Sequence, residues 1–299
     1  MSDPSIEEHR RQYAAAIVSA AGVQTPGLGH AFATVPREAF LPPGPWLVVG
    51  EREQPRQTPG DDPRFVYEQV SVAIDPERHL FNGAPAFVAR LIDVLGLRSG
   101  SRVLHVGAGL GYYSAIIGSV VGETGSVVAV EIDEGLAAQA QSNLATMPWV
   151  SVQCGDGTGA EGTPERGAPR RAAAFDAILV HAGVTHPLDA WLDALAPGGR
   201  LLLPLTVEMP AMGATLGKGV VAIVSRTTDG ADFRAEILSF VAIYSAIGLR
   251  DAEIGARWEQ ALRRTSFPNL TRLRRDPHDS TPACWLHGQT FCLSMDPVS

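Results

Sequence analysis

The chain has 299 residues, 45% of them hydrophobic and 19% charged, and a net charge of −8. This is globular composition, too apolar for disorder, and no apolar run reaches the roughly 18 residues of a membrane span. The acidic balance argues against partners reached by long-range attraction, so neither nucleic acid nor an anionic membrane surface is expected.

The polar, mixed-charge start lacks the apolar segment of a secretory signal, so a cytoplasmic protein is expected. Ser5 to Ala21 carries apolar side chains at helical spacing with Gly22 as a stop, which predicts a helix. A second short helix is expected from Pro26 to Thr34. Residues 42–64 are rich in proline and poor in aliphatics, and read as loop.

From residue 84 the pattern becomes regular. Helices are expected over Pro85–Leu95, Tyr112–Val121, Glu134–Ala145 and Pro187–Leu195. Apolar, β-branched runs at Ser101–Val106, Ser126–Ile132, Val150–Cys154, Phe175–His181 and Arg200–Leu205 read as strands. Strand and helix alternating in this way predict a parallel sheet covered on both faces. Gly219–Arg226 and Phe233–Tyr244 read as a hairpin that adds an antiparallel edge. Residues 157–173 read as a flexible insertion, Ala252–Thr265 as a helix, and Ala283–Ser294 as a final strand or hairpin. The organisation expected is an N-terminal helical and loop region over 1–80, a core over 81–244 and an extension over 245–299. Cys154, Cys284 and Cys292 are scattered and none forms a C-x-x-C pair. They read as reduced thiols, and no metal site is expected.

The main motif is Val103-Leu-His105-Val-Gly107-Ala108-Gly109-Leu-Gly111-Tyr112. It follows a strand and opens a helix, so backbone there can approach a ligand closely. Glu131, followed by Ile132, ends the next strand, where a carboxylate is placed to accept from two ribose hydroxyls. Position 112 is Tyr, so the spacing is G-x-G-x-G and not that of a dinucleotide fingerprint. A ligand without a pyrophosphate fits better, and S-adenosylmethionine is the candidate, leaving S-adenosylhomocysteine as product. Asp156 and Gly157 follow the strand Val150–Cys154, where the carboxylate is placed to accept from an adenine amine.

These motifs, with others upstream, resemble the protein-L-isoaspartate O-methyltransferase family of the class I methyltransferases. Val35-Pro-Arg-Glu-Ala-Phe-Leu-Pro42 is similar to that family's V-P-R-x-x-F-V-P signature, and Phe65-Val-Tyr-Glu68 to the segment that follows it. Ala84-Pro85, Gly155-Asp-Gly-Thr158 and Leu195-Ala-Pro-Gly-Gly-Arg-Leu-Leu-Leu-Pro204 also match. The resemblance spans about residues 12–243. It implies an α/β Rossmann-like three-layer sandwich with a mostly parallel seven-stranded sheet. It also implies methyl transfer from S-adenosylmethionine to a carboxylate oxygen, an in-line displacement that needs alignment and exclusion of water more than a base.

Four departures accompany the resemblance. The family's G-Q-T-I-S-A-P segment, whose serine helps hold the substrate carboxylate, is here His79-Leu-Phe-Asn82-Gly83-Ala-Pro85. Asn82 offers an amide donor and Gly83 a backbone N–H in its place. The acidic residue that usually opens the glycine loop and assists the cofactor's ammonium is His105. His181 and His186 stand after a later strand, where a general base or an orienting group is expected. The tail adds a basic segment with Arg263, Arg264, Arg272, Arg274 and Arg275, read either as a solvated face or as a surface for an acidic peptide. The departures favour an O-methyltransferase with a changed acceptor, a modified peptide, protein or small carboxylate. True isoaspartyl repair and a non-catalytic cofactor-binding protein stay open beside it. A nicotinamide oxidoreductase is disfavoured by Tyr112.

Overall fold

The computed structural model describes residues 4–51, 53–78, 80–159, 175–209, 216–265 and 267–297. Most of the expected insertion at 157–173, and His79, lie outside the described residues. In chain order the elements are α1 (Pro4–Ala21), α2 (Leu28–Thr34), β1 (Leu47–Gly50), β2 (Arg56–Gln57), β3 (Val70–Asp75), β4 (Leu80–Phe81) and α3 (Pro85–Asp93). There follow β5 (Arg102–Val106), α4 (Tyr112–Val121), β6 (Ser126–Glu131), α5 (Glu134–Asn143), β7 (Val150–Cys154), β8 (Phe175–Val180), α6 (Asp189–Ala194) and β9 (Leu195–Glu208). The last are β10 (Leu216–Arg226), β11 (Phe233–Tyr244), α7 (Ala252–Arg264), β12 (Arg272–Arg274), β13 (Cys284–His287) and β14 (Cys292–Ser294). No helix among the described residues is long and apolar enough to cross a membrane.

The chain divides into two compact units, Met1–Ser101 with Ala108–Cys154, and Arg102–Gly107 with Gly155–Ser299. In the first unit a small antiparallel sheet has the order β2-β1-β3-β4. Part of residues 42–64 is therefore sheet, where the sequence reads as loop. Val48 is fully buried and lies opposite Val72, and the Trp46 N–H donates to Thr58 Oγ1 at 2.8 Å. Strands of two and four residues are too short to show a period, which is why proline content dominates the reading. The Asp93 carboxylate accepts from the backbone of Gln24 and Thr25 (2.9 and 2.6 Å), fixing the segment after α1 to the end of α3. In the same unit β6 and β7 run parallel, from Val127 opposite Val150 to Glu131 opposite Cys154.

The core of this unit contains an unusual side chain. Arg37 is fully buried. Its guanidinium donates to the carbonyls of Val66 (2.6 Å) and Val70 (2.8 Å) and lies between the rings of Tyr13 and Tyr112, at 5.7 and 5.8 Å. A planar, weakly hydrated cation suits such an aromatic slot, where the ring faces and carbonyl dipoles replace water. Next to it, Glu38 accepts from Arg10 and from the Tyr67 hydroxyl, and that hydroxyl accepts from the Arg37 N–H at 3.0 Å.

In the second unit eight strands follow in the order β13-β14-β12-β11-β10-β9-β8-β5. β5, β8 and β9 are parallel, with Val103 opposite Ala177 and Ile178 opposite Leu201. The remainder is antiparallel, and the expected β10–β11 hairpin is present with Leu216 opposite Tyr244. The extension continues this side with β12, β14 and β13. α7 starts where Asp251 caps the Ile254 N–H at 2.9 Å, and it buries Trp258.

Four of the five arginines of the basic tail segment are engaged by close partners, while Arg263 is exposed and reaches only Glu259, at 3.9 Å. Arg272 pairs with Asp232 (2.6 Å), Arg274 with Asp276 (2.5 Å), and Arg275 with both Asp193 (2.6 Å) and Asp189 (2.9 Å). Arg264 donates to the Trp285 carbonyl at 2.6 Å. The segment reads as unpaired in the sequence because most of these acceptors come from distant elements.

Candidate active site

β5 leads into the glycine loop with Val103, Leu104, His105 and Val106 all buried. Gly107, Gly109 and Gly111 have φ of +84°, +55° and +92°, a region that side chains rarely enter. At Gly109 a Cβ would also lie 3.0 Å from Ile74 Cδ1, so a side chain there would be strained in the backbone and would push the isoleucine aside. Gly111 caps α4, whose residues are nearly all buried, so the loop is mounted on a rigid helix. The Ala108 N–H donates to the Val130 carbonyl at 3.0 Å and carries the loop along β6.

At the end of β6, Glu131 is 8% exposed. Its Oε2 accepts from the Gly109 N–H at 2.7 Å and its Oε1 from the Asp133 N–H at 3.1 Å. Each oxygen keeps a second lone pair, so the carboxylate is fixed in place and able to accept from two vicinal hydroxyls. Beside it Ile132 is 37% exposed, an apolar side chain left open at the end of a strand. Asp133 caps Leu136 and pairs with Arg78 (2.8 Å), which also reaches Asp75 (2.5 Å), so β3 and α5 are tied beside the carboxylate.

The same unit holds Asn82 and Gly83. Asn82 Oδ1 accepts from the Val72 N–H (2.9 Å) and from Arg37 (3.3 Å). These donors fix the amide's orientation, and its Nδ2 is buried without a hydrogen-bond partner among the described residues. Gly83 has φ +87°, and its carbonyl accepts from the Tyr113 hydroxyl at 3.2 Å.

In the second unit, His105 is fully buried and stacks on His181, with ring centroids 5.8 Å apart and an angle of 28°. Burial, and for His105 also the neighbouring His181, pull the two imidazoles down from 6.5 to about 3 and about 4. Both are neutral at pH 7, so His105 brings no charge to the place where the family has a carboxylate. Asp156 Oδ1 accepts from the Thr158 N–H (2.9 Å) and hydroxyl (2.7 Å), a closed turn that leaves Oδ2 to accept from a ligand. The Gly157 carbonyl accepts from the buried Trp191 indole at 2.9 Å, which anchors the turn. His186 is placed differently from the sequence expectation. Its ring stacks on Phe291 at 5.7 Å and its Nδ1 meets Thr185 Oγ1 at 2.9 Å, so it packs against the C-terminal hairpin. Burial lowers its pKa, and we assign it no part in the chemistry.

A nucleoside needs a backbone it can approach and a fixed acceptor for its ribose. Gly109 and Glu131 provide both, so these residues suit S-adenosylmethionine. Sequence reasoning missed Arg37 and Tyr113 as supports of the 82–83 segment. The V-P-R signature contained Arg37, but nothing in it signals complete burial.

The family model described as "Protein-L-isoaspartate(D-aspartate) O-methyltransferase (PCMT)" matches residues 52–218. Protein-L-isoaspartate O-methyltransferase 1 of Rhodopseudomonas palustris (strain HaA2) is 33% identical over 244 residues, covering 82% of this chain and 85% of that protein. A solved protein-L-isoaspartate O-methyltransferase superposes with a TM-score of 0.60 at 24% identity, covering 85% of this chain and 69% of that one. A Plasmodium falciparum methyltransferase structure in complex with S-adenosyl-L-homocysteine gives 0.55 at 18% identity, covering 79% of this chain and 97% of that one. At these identities the structural likenesses speak for the α/β methyltransferase fold.

Proposed function

The chain belongs to the protein-L-isoaspartate O-methyltransferase family, and from that premise we propose that it methylates the isoaspartyl carboxylate of altered peptides and proteins. It is a methyltransferase that uses S-adenosylmethionine. The observation that carries the acceptor is the 33% identity to a named isoaspartyl enzyme across 85% of that enzyme's length. The changed acceptor expected from residues 79–83 finds no support among the relatives, and the isoaspartyl reading replaces it.

The cofactor supplies an electrophilic methyl group on a sulfonium. In the first unit Glu131 would hold the ribose hydroxyls, with Ile132 offering apolar surface to the base, and Asp156 is the acceptor that its sequence motif offers for the adenine amine. Gly107, Ala108, Gly109 and Gly111 let backbone approach the ligand. His105 is a neutral spacer that contributes no charge. An isoaspartyl carboxylate is ionised at neutral pH, so no group need remove a proton from it. What remains is alignment, and here Asn82 and the Gly83 backbone take the place of the family's serine. Arg37 positions Asn82 through its Oδ1 and leaves Nδ2 as the free donor. Neutral His181 is buried against His105 and is given no role as a base.

Transfer of a labelled methyl group to a synthetic isoaspartyl peptide tests the reading. Base-labile label on that peptide supports it, and label found only on small acids contradicts it.

A further inference from the structure

The C-terminal extension brings together four side chains that the reaction does not use. His278, Cys284, His287 and Cys292 place one nitrogen or sulfur each within 4.8 Å of one another. A tetrahedral site with bonds of about 2.0–2.3 Å spaces its donor atoms roughly 3.3–3.8 Å apart. Cys284 Sγ and His278 Nε2 are already 3.6 Å apart. We propose that these four residues bind a zinc ion, a structural site that clasps the extension.

The surroundings are those of metal ligands. His278 Nδ1 lies 2.7 Å from the Asp276 carbonyl. A carbonyl only accepts, so the proton sits on Nδ1 and the Nε2 lone pair faces Cys284, the usual support for a ligating imidazole. The Thr281 N–H donates to Cys284 Sγ at 3.3 Å, and the Thr281 hydroxyl lies 3.4 Å away, as suits a sulfur that carries charge. His287 Nδ1 is buried with no hydrogen-bond partner among the described residues. Both cysteines are buried and free.

The backbone explains the convergence. His287 and Cys292 are direct cross-strand partners in the β13–β14 hairpin. Cys284 is three residues before His287, which in a regular strand would put it on the other face. The register shifts between Cys284 and Leu286, and a bulge of this kind restores a common face. His278 arrives from the loop before β13. The set is two thiolates and two imidazoles, which zinc prefers in tetrahedral form, and the ion's charge cancels that of the sulfurs in a buried place. All four positions are filled by protein, so the site is closed and structural rather than catalytic. It departs from the expectation of scattered reduced thiols and no metal site. The pattern is C-x-x-H-x-x-x-x-C with an upstream histidine, and a search for C-x-x-C pairs passes over it. The ion would hold a hairpin whose Trp285 packs on Trp258 of α7, with ring centroids 4.7 Å apart, and a loop whose Arg275 reaches α6.

The test uses the untagged full chain, purified without chelator, and does not depend on the acceptor. Elemental analysis should find about one zinc per chain. Cobalt exchanged into the site should show strong tetrahedral visible bands and sulfur-to-cobalt charge transfer. The Cys284→Ser/Cys292→Ser variant should lose both. His278→Ala, a loop change that leaves the hairpin intact, should weaken cobalt binding by about tenfold or more and alter the spectrum. Folded protein that takes up neither zinc nor cobalt overturns the proposal. So does a cobalt spectrum of weak octahedral type, or a Cys284–Cys292 disulfide whose reduction yields no metal binding.

Discussion

The Gly109 amide donates to the Glu131 carboxylate at 2.7 Å, so the glycine loop and the acid at the end of β6 form one unit before any ligand arrives. A preformed acceptor loses little freedom on binding, which makes it a strong contributor to affinity. Glu131→Ala should weaken S-adenosylhomocysteine binding by about 10–100-fold, the scale of one or two hydrogen bonds to a charged group. Isothermal titration checks this, with circular dichroism to confirm the fold. Unchanged affinity would remove Glu131 from the ribose site.

The His105–His181 stack predicts acid sensitivity. Both groups are neutral in the folded state down to about 3 and about 4, while an unfolded histidine takes up a proton near 6.5. The unfolded state therefore binds more protons below 6.5, and stability rises with pH there. Their contribution is complete above 6.5 and is lost progressively as pH falls toward 4. Urea unfolding between pH 6.5 and 5, above the main carboxylate range, should show this slope, and His105→Gln should reduce it, leaving the part due to His181. A flat profile in the parent protein would contradict the assignment.

Gly83 is where the family's serine stands, and its φ of +87° sets the cost of restoring that serine. Gly83→Ser alone should lower stability by about 1–2 kcal/mol, because a side chain is strained in the left-handed region. It should not raise activity. A gain in turnover with an unchanged melting temperature would show that the segment relaxes to the family's backbone.

Arg37 holds two carbonyls and an amide from the centre of the first unit. Arg37→Met should cost about 3 kcal/mol, the scale of orphaning buried acceptors of charged hydrogen bonds. Arg37→Lys should recover only part of it, since an ammonium lacks the fork that reaches Val66 and Val70 together. Urea unfolding measures both. A loss below about 0.5 kcal/mol for Arg37→Met would mean that the tyrosine slot closes without the guanidinium.

Much of the core was legible because its signals are local. Val103–Val106, Val127–Val130 and Phe175–Val180 are short β-branched or apolar runs between helical stretches, and such periods survive burial. The left-handed glycine turn and the positions of Glu131 at the end of β6 and Asp156 just after β7 were legible from type and spacing. The rest depends on partners far along the chain. Arg275 reads as a free charge because Asp189 and Asp193 lie 86 and 82 residues before it. His186 sits after a strand that points toward the expected crevice, yet Phe291 in the tail takes its ring. β2 has only two residues and no period to read. Cys284 and His287 share a face only because of a bulge, which a strand pattern does not announce.

The acceptor decides what this enzyme does. It is tested most directly by offering the enzyme a synthetic isoaspartyl peptide and its normal aspartyl counterpart, each with labelled S-adenosylmethionine, in a preparation shown to bind S-adenosylhomocysteine. An isoaspartyl methyltransferase should leave base-labile label on the isoaspartyl peptide and almost none on the aspartyl one. Failure to label the isoaspartyl peptide, or equal labelling of both, would contradict the isoaspartyl reading.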